Sequence, residues 1–341
     1  MDGRLQCTAC AHRCVLTDQA AGLCRVRYRS GKTIRVPWGY VAVRRIMPVE
    51  RNTIYHVRPG SLGLTFGMLG CDLRCPWCSN WQLSQALRDD LPETPIVETS
   101  ASLLVSEALN AGCRVVAAAF NGPMISAEWV HEIFAEAHRH GLVTALISDG
   151  NTTPEALAFL RPVSDVFRVD LKGTTVAHYT TVGGVAGAPL EALHEARRLG
   201  YWVEAVTVIV PGVNDDVGEL RRLGAILAEI DPELPWHLNG FVPRYRMNNV
   251  APTDPALLVL VAGTAYARGL RYVYVGNVAD RVQELSHTRC PRCLEAVVRR
   301  HNYMTESMTL RNGRCPTCAI PIPGLWEQAE ESSSPSGTRG P

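Results

Sequence analysis

From Gly60 to about Val278, short apolar runs alternate with helical stretches, and this alternation limits the fold more than any other feature of the chain. The expected strands are Leu62 to Leu69, Val115 to Phe120, Val143 to Ile147, Val166 to Val169, Val203 to Val210, His237 to Val242 and Tyr272 to Val275. Between them, Val130, Ile133, Phe134 and Ala137 recur at i, i+3, i+4 and i+7 after Ser126, the pattern of a capped amphipathic helix. Thr153-Pro154-Glu155 and Asp254-Pro255 each open a further helix with Pro at its first position, where the missing N–H costs nothing. Parallel strands need crossover helices, so repeated βα units predict an α/β chain with a parallel sheet. Closed into a barrel or partial barrel, such a sheet carries its chemistry at the C-terminal strand ends. A doubly wound open sheet is the other arrangement that the alternation allows.

Eleven of the twelve cysteines fall into three groups at metal-ligand spacings, and only Cys113, read as a small buried side chain, stands alone. A disulfide framework suits short secreted domains, whereas this chain has 341 residues and its first eight lack the basic-then-apolar order of a secretory signal. No stretch approaches the roughly 20 apolar residues that span a bilayer. The longest apolar run, Ala256 to Ala267, lies between Asp254-Pro255 and Gly269 and reads as a buried globular helix. A cytoplasmic location is expected. With a formal net charge of +1, the chain as a whole has no footprint of a nucleic-acid or membrane-surface binder.

The central group is Cys71, Cys75 and Cys78, a C-x3-C-x2-C loop directly after the first expected strand. A structural zinc site wants four ligands, whereas a [4Fe–4S] cluster on three cysteines leaves one iron open; a zinc ion completed by a distant His is the alternative. Near the C-terminus, Cys290, Cys293, Cys315 and Cys318 form two C-x2-C knuckles of a zinc-ribbon type, and the same four thiolates also suit an auxiliary iron–sulfur cluster. At the N-terminus, Cys7, Cys10, Cys14 and Cys24 give a less standard spacing that fits zinc or an auxiliary cluster, with His12 a bystander.

These groups divide the chain into a Cys-rich metal-binding module over 1–59, a barrel over 60–280, a zinc-ribbon-like module over 281–326 and a disordered tail over 327–341. Between Asp18 and Glu50 lie seven basic residues, Arg25, Arg27, Arg29, Lys32, Arg35, Arg44 and Arg45, and no acidic one. They suit either an anionic partner or a solvated sheet face. Asp170 and Lys172 flank Leu171 at a strand end and so share one face, as an ordinary ion pair or as a polar grip on a ligand.

The cluster loop, with Trp77 before its third cysteine, resembles the signature of the radical S-adenosylmethionine (SAM) superfamily. Pro59-Gly60-Ser61, Ser79-Asn80-Trp81-Gln82-Leu83-Ser84, Asp170-Leu171-Lys172, Val210-Pro211-Gly212-Val213-Asn214-Asp215, Phe241-Val242-Pro243-Arg244-Tyr245 and Val275-Gly276-Asn277 narrow the resemblance. Together they are similar to the radical SAM enzymes of the AmmeMemoRadiSam system, relatives of pyruvate formate-lyase activating enzyme, over nearly the whole chain.

The resemblance implies a partial (β/α)6 barrel with Cys-rich metal modules at both ends. It also implies SAM chelated to the open iron and cleaved reductively to methionine and a 5′-deoxyadenosyl radical that takes a substrate hydrogen. It assigns SAM contacts to Asn121, Gly122, Ser148, Asp170, Lys172 and His237. Relatives usually carry an acidic residue where Gly122 stands and a Thr-Asn-Gly-like turn where Ser148-Asp149-Gly150 stands, so the chain departs from them twice. An electron donor such as flavodoxin or ferredoxin is implied, with a protein substrate or a Memo-family partner. A glycyl-radical-enzyme activase is a second reading, and a catalytically inactive zinc-dependent scaffold a third.

Overall fold

The computed structural model describes residues 4–17, 20–278 and 280–326, so the tail expected to be disordered lies outside the described residues. Eight strands form the main sheet: β1 (Val43–Pro48), β2 (Leu62–Gly67), β3 (Val115–Ala118), β4 (Val143–Ser148), β5 (Val166–Asp170), β6 (Trp202–Ile209), β7 (Trp236–Gly240) and β8 (Val273–Gly276). They lie side by side in chain order. β1 runs antiparallel to β2, and β2 to β8 are all parallel. Crossovers are right-handed, so an unbroken order puts every connecting helix on the same face; a doubly wound sheet would reverse its order. The result is a partial barrel with β1 and β8 at its two edges and one parallel strand more than six.

Local sequence explains the helices. α1 (Ala101–Asn110) is capped by Ser100, whose side chain accepts from the Leu103 N–H. α2 (Ala127–Arg139) buries Trp129, Val130, Ile133, Phe134 and Ala137, the expected stripe. α3 (Pro154–Leu160) is capped by Thr153 and has Pro in its first turn. After α4 (Val176–Val182), α5 (Ala188–Arg198) and α6 (Val217–Ile230) comes α7 (Pro255–Ala267), capped by Asp254. α7 buries Leu258, Val261, Ala262 and Ala265 but leaves Val259, Leu260 and Tyr266 exposed, so only one of its apolar faces belongs to the core. No helix is long and apolar enough to cross a membrane.

Burial on both sheet faces makes the strands read as mostly apolar runs, broken on the inner face by Thr65, Arg168, Glu204 and His237. Val116, Ala118, Leu146 and Phe167 pack outward against the helices. Val115, Ala117, Ala145 and Val166 point inward, where Val49, Ile54 and Val57 from the β1–β2 connection fill the barrel floor.

The floor is sealed from below by β9 (Thr288–Arg289), β10 (Ala296–His301) and β11 (Met304–Met308), an antiparallel sheet that presents Arg300 to the Tyr55 carbonyl at 2.7 Å. Leu325 exchanges backbone hydrogen bonds with His56 and Arg58. At the other end of the chain, Leu5–Gln6 pairs with Val15–Leu16, and Tyr28–Ser30 with Thr33–Arg35. The β-type alternation after Thr33 continues through Tyr40–Val41, which pairs with Val97–Glu98, into β1 of the main sheet. The basic stretch does not form one surface: Arg27 is buried in an ion pair with Glu128 and Arg44 pairs with Glu107, while Arg45 faces the cavity described next.

Candidate active site

A cavity of about 630 Å³ opens at the C-terminal ends of the parallel strands, and Cys71, Cys75 and Cys78 line one side of it. Their loop leaves β2 through Gly70, at φ +86°, where a Cβ would meet Val26 Cγ1 at 2.8 Å and the Cys24 carbonyl at 2.9 Å; only glycine lets the N-terminal segment approach this closely. Arg88 straps the loop, donating to the carbonyls of Cys71 at 2.6 Å and Leu73 at 2.7 Å. Asn121 braces it from β3, accepting from the Met68 N–H and donating to the Gly70 carbonyl. Its side-chain amide is therefore engaged by the protein itself.

Burial pushes the Cys75 thiol up to about 12 and raises Cys71 and Cys78 as well. Thiols in such surroundings ionise only with a cation to pay the desolvation cost, which is the chemistry of metal ligands. The Lys172 ammonium stands close enough to Cys75 to offset part of that rise. It lies 3.6 Å from Asp170, which Arg168 also holds at 2.7 Å. Burial alone would raise the Asp170 carboxyl, but these two cations hold it below its usual value. Asp170 and Lys172 thus stand together on the cavity wall.

Gly122 sits against the loop from the other side. A Cβ there would fall 2.3 Å from Asp72 Oδ1, 3.3 Å from Asp149 Oδ2 and 3.4 Å from Cys71 Sγ, so no side chain fits. The acidic chemistry that position 122 lacks is nonetheless present next to it, on Asp72 and Asp149. Burial raises both carboxyls, and Asn151 donates to Asp72 at 2.7 Å. Asp149 lines the cavity, and Ser148 accepts from the Gly150 N–H and so shapes the turn that carries it. His237 is not on the cavity wall: it is fully buried, with Nε2 2.7 Å from Glu204, below β7's C-terminal end. The adjacency of Asp72 and Asp149 and the Arg88 strap were not anticipated from sequence; the Asp149 departure was the only signal of the former.

The terminal cysteines behave differently from one another. The ligand atoms of Cys290, Cys293, Cys315 and Cys318 all lie within 4.8 Å of one another, with Sγ separations of 3.4 Å for Cys290–Cys318 and 3.5 Å for Cys293–Cys315. A tetrahedral ion with metal–sulfur bonds of about 2.3 Å sets these separations near 3.8 Å. Among the described residues, Cys7, Cys10, Cys14 and Cys24 form no such group. Their segment packs behind the cluster loop, where His12 Nε2 donates to the Asp72 carbonyl at 3.2 Å and Ala11 N–H to the Asn151 carbonyl. Cys113 is buried.

The family model of the radical SAM superfamily matches residues 66–224. The chain is 28% identical over 325 residues to an uncharacterized protein of Methanocaldococcus jannaschii, covering 94% of this chain and 96% of that one. It is 24% identical over 209 residues to the pyruvate formate-lyase-activating enzyme of Staphylococcus epidermidis, covering 54% of this chain and 81% of that enzyme. In fold it is similar to SuiB of Streptococcus suis, with a TM-score of 0.50 and 11% identity over 68% of this chain and 52% of that one.

Proposed function

We propose that this chain, which belongs to the radical SAM superfamily and is related to pyruvate formate-lyase-activating enzyme, uses Cys71, Cys75 and Cys78 to hold a [4Fe–4S] cluster and abstracts hydrogen from a substrate that enters the cavity beside them. The observation that carries this reading is the position of buried Cys71 and half-buried Cys75 and Cys78 together on the wall of the cavity at the parallel strand ends. Such a cluster with SAM on its open iron supplies reductive cleavage of SAM to methionine and a 5′-deoxyadenosyl radical.

The chain's own residues bind and orient. Lys172 and Asp170 offer a paired ammonium and carboxylate to SAM's polar groups. Asp149, presented by Ser148, takes the place of the acid missing at position 122 and receives the ammonium. Asn121 and the Gly122 backbone fix the loop against which SAM lies, and His237 supports β7 from below. The buried side of the cavity, around Cys71, Leu73 and Trp77, limits access of water and other reductants to the reacting bond.

Zinc is assigned to Cys290, Cys293, Cys315 and Cys318, and zinc or an auxiliary cluster to Cys7, Cys10, Cys14 and Cys24. Electrons come from a flavodoxin or ferredoxin, and a protein segment or a Memo-family partner supplies the substrate. The barrel spans 60–280 and takes its edge strand β1 and its floor residues from the segment over 1–59, which carries the first metal module; the second covers 281–326.

The test is anaerobic reconstitution with iron, sulfide, reductant and SAM, followed by detection of 5′-deoxyadenosine. Wild type is expected to bind the cluster and form 5′-deoxyadenosine, and the triple variant C71A/C75A/C78A to do neither while keeping its far-ultraviolet circular dichroism. Product from the triple variant would reject the assignment.

A further inference from the structure

The cavity's charge does not match what the cluster loop and SAM need. Five cationic side chains line it, Arg45, Arg51, Arg168, Lys172 and Arg244, against two carboxylates, Asp149 and Asp170. Arg168 and Lys172 share Asp170. The other three arginines come from separate segments, and among the described residues none of them has an ion-pair partner or a side-chain hydrogen bond. A cluster on three thiolates is net negative and SAM is net positive, so loading the two together leaves the cationic excess in place.

The three unpartnered arginines are positioned by the fold. Val43, Arg45 and Met47 alternate along β1, so Arg45 shares the cavity-facing side of that strand. Arg51 stands on the short turn Val49–Asn52, which is tied down by the Asn52 amide to Thr65 Oγ1 at 2.8 Å and by Arg168 to the Asn52 carbonyl at 3.1 Å. Arg244 precedes Tyr245, a non-glycine residue at φ +51°, whose ring stacks on Trp81 and whose hydroxyl donates to Asp89. Backbone in that region persists only where its surroundings enforce it, so the loop that presents Arg244 is held in place. All three are exposed and line the cavity at different heights, Arg51 from the turn below β1, Arg45 along β1 and Arg244 beyond the end of β7, so they form its open side, whereas Cys71 is buried at its depth.

We propose that this open side is a binding site for the charged groups of an anionic substrate, a phosphate ester or a polycarboxylate, held by Arg45, Arg51 and Arg244. This rests on the radical SAM reading for what happens to the substrate, but not for its capture. Guanidinium groups bind phosphate and carboxylate oxygens through paired, charge-assisted hydrogen bonds, and three of them favour a multiply charged group. The anion would be drawn in at a rate that falls with salt, and would anchor the substrate so that its reacting hydrogen faces the depth of the cavity.

The test is calorimetric titration of the reconstituted full-length protein, saturated with SAM and without reductant, with inorganic pyrophosphate and with citrate at two salt concentrations. Binding of either anion is expected to weaken tenfold or more in R45Q/R51Q/R244Q, to be partly retained in R45K/R51K/R244K, and to weaken with salt. The preferred probe distinguishes a phosphate from a carboxylate substrate. Equal binding by wild type and the glutamine variant, no binding of either probe, or displacement of SAM by the anion would each overturn the proposal. The last would mean that the arginines serve SAM's own carboxylate. Failure of the radical SAM reading shows separately, as absence of 5′-deoxyadenosine when reductant is added to the anion-free wild type; arginine-dependent anion binding in that sample would leave the binding site standing.

Discussion

The Tyr245 ring lies flat on the Trp81 indole, with centroids 5.3 Å apart and planes inclined by 10°. Trp81 follows the cluster loop and Tyr245 follows β7, so the stack links opposite sides of the cavity. Arg246 adds an ion pair to Asp89 at 2.9 Å and a backbone bond to the Pro76 carbonyl. Tyr245→Ala removes the stack, worth about 0.5–1.5 kcal/mol beyond its buried area, and the hydroxyl's bond to Asp89. Backbone amide exchange across 243–250 is expected to accelerate while β4 is unaffected, and Tyr245→Phe is expected to have the smaller effect. Unchanged exchange in Tyr245→Ala would show that the stack does not hold this loop.

The C-terminal cysteines are expected to act through the fold. Cys290 and Cys315 are buried in one apolar cluster with Tyr55, Tyr272 and Tyr274, beneath the barrel floor. Structural zinc contributes roughly 10–16 kcal/mol of apparent binding free energy in small modules, far more than a few apolar contacts supply. Cys290→Ser should therefore lose one zinc per chain, keep the iron of the cluster loop, and become sensitive to trypsin between 290 and 318. Iron and sulfide at these four cysteines in C71A/C75A/C78A would contradict the zinc assignment.

Acid is expected to weaken the floor in two steps. Burial lowers His56 to about 4, so its imidazole is neutral in the fold: Nδ1 donates to the Pro323 carbonyl and Nε2 accepts from the Tyr274 hydroxyl. The unfolded chain, with His near 6.5, binds more protons between those values, so this contribution is full above about 6.5 and is lost as pH falls toward 4, about 3 kcal/mol in all. Glu204 behaves as a depressed carboxylate. Burial would raise it, but the hydrogen bond and charge of His237 hold it at about 2, so its contribution is lost only as pH falls below about 4.5 toward that value. Denaturant titrations at pH 7, 5.5 and 4.5 should show falling stability in wild type and a flatter profile in His56→Gln. A flat wild-type profile would remove His56 from this role.

The seven parallel strands were legible because burial on both faces writes a mostly apolar run into each of them, and Thr153-Pro154 and Asp254-Pro255 marked two helix starts for local steric reasons. β1 was less visible: Val43-Arg44-Arg45-Ile46-Met47-Pro48 has charges on both faces because it is an edge strand with one side at the cavity. The cysteine spacings were local and could be read directly. What could not be read was adjacency across the barrel. Gly122 and Asp149 each looked like an isolated departure, although the fold sets them against one another, and Arg45, Arg51 and Arg244 have no common sequence pattern. His237 was assigned to the ligand by resemblance alone, and neither a motif nor a strand's period tells how far up the barrel a side chain lies.

The hydrogen bonds from Leu325 to His56 and Arg58, and from Arg300 to the Tyr55 carbonyl, set an order on the birth of the molecule. A ribosome synthesises all eight barrel strands before it makes the residues that close the floor beneath them. Until then the Tyr55 carbonyl lacks Arg300 and His56 lacks Pro323 and Leu325, and the barrel waits as an open cup. Long-range closure of this kind is slow and leaves apolar surface exposed in the meantime. A message truncated before residue 300 would yield a chain that carries every cluster-loop cysteine and every cavity arginine but not the parts that seal its floor. Closure of the floor thereby waits on residues made after the barrel strands, and it takes place at the opposite end of the barrel from the cluster loop.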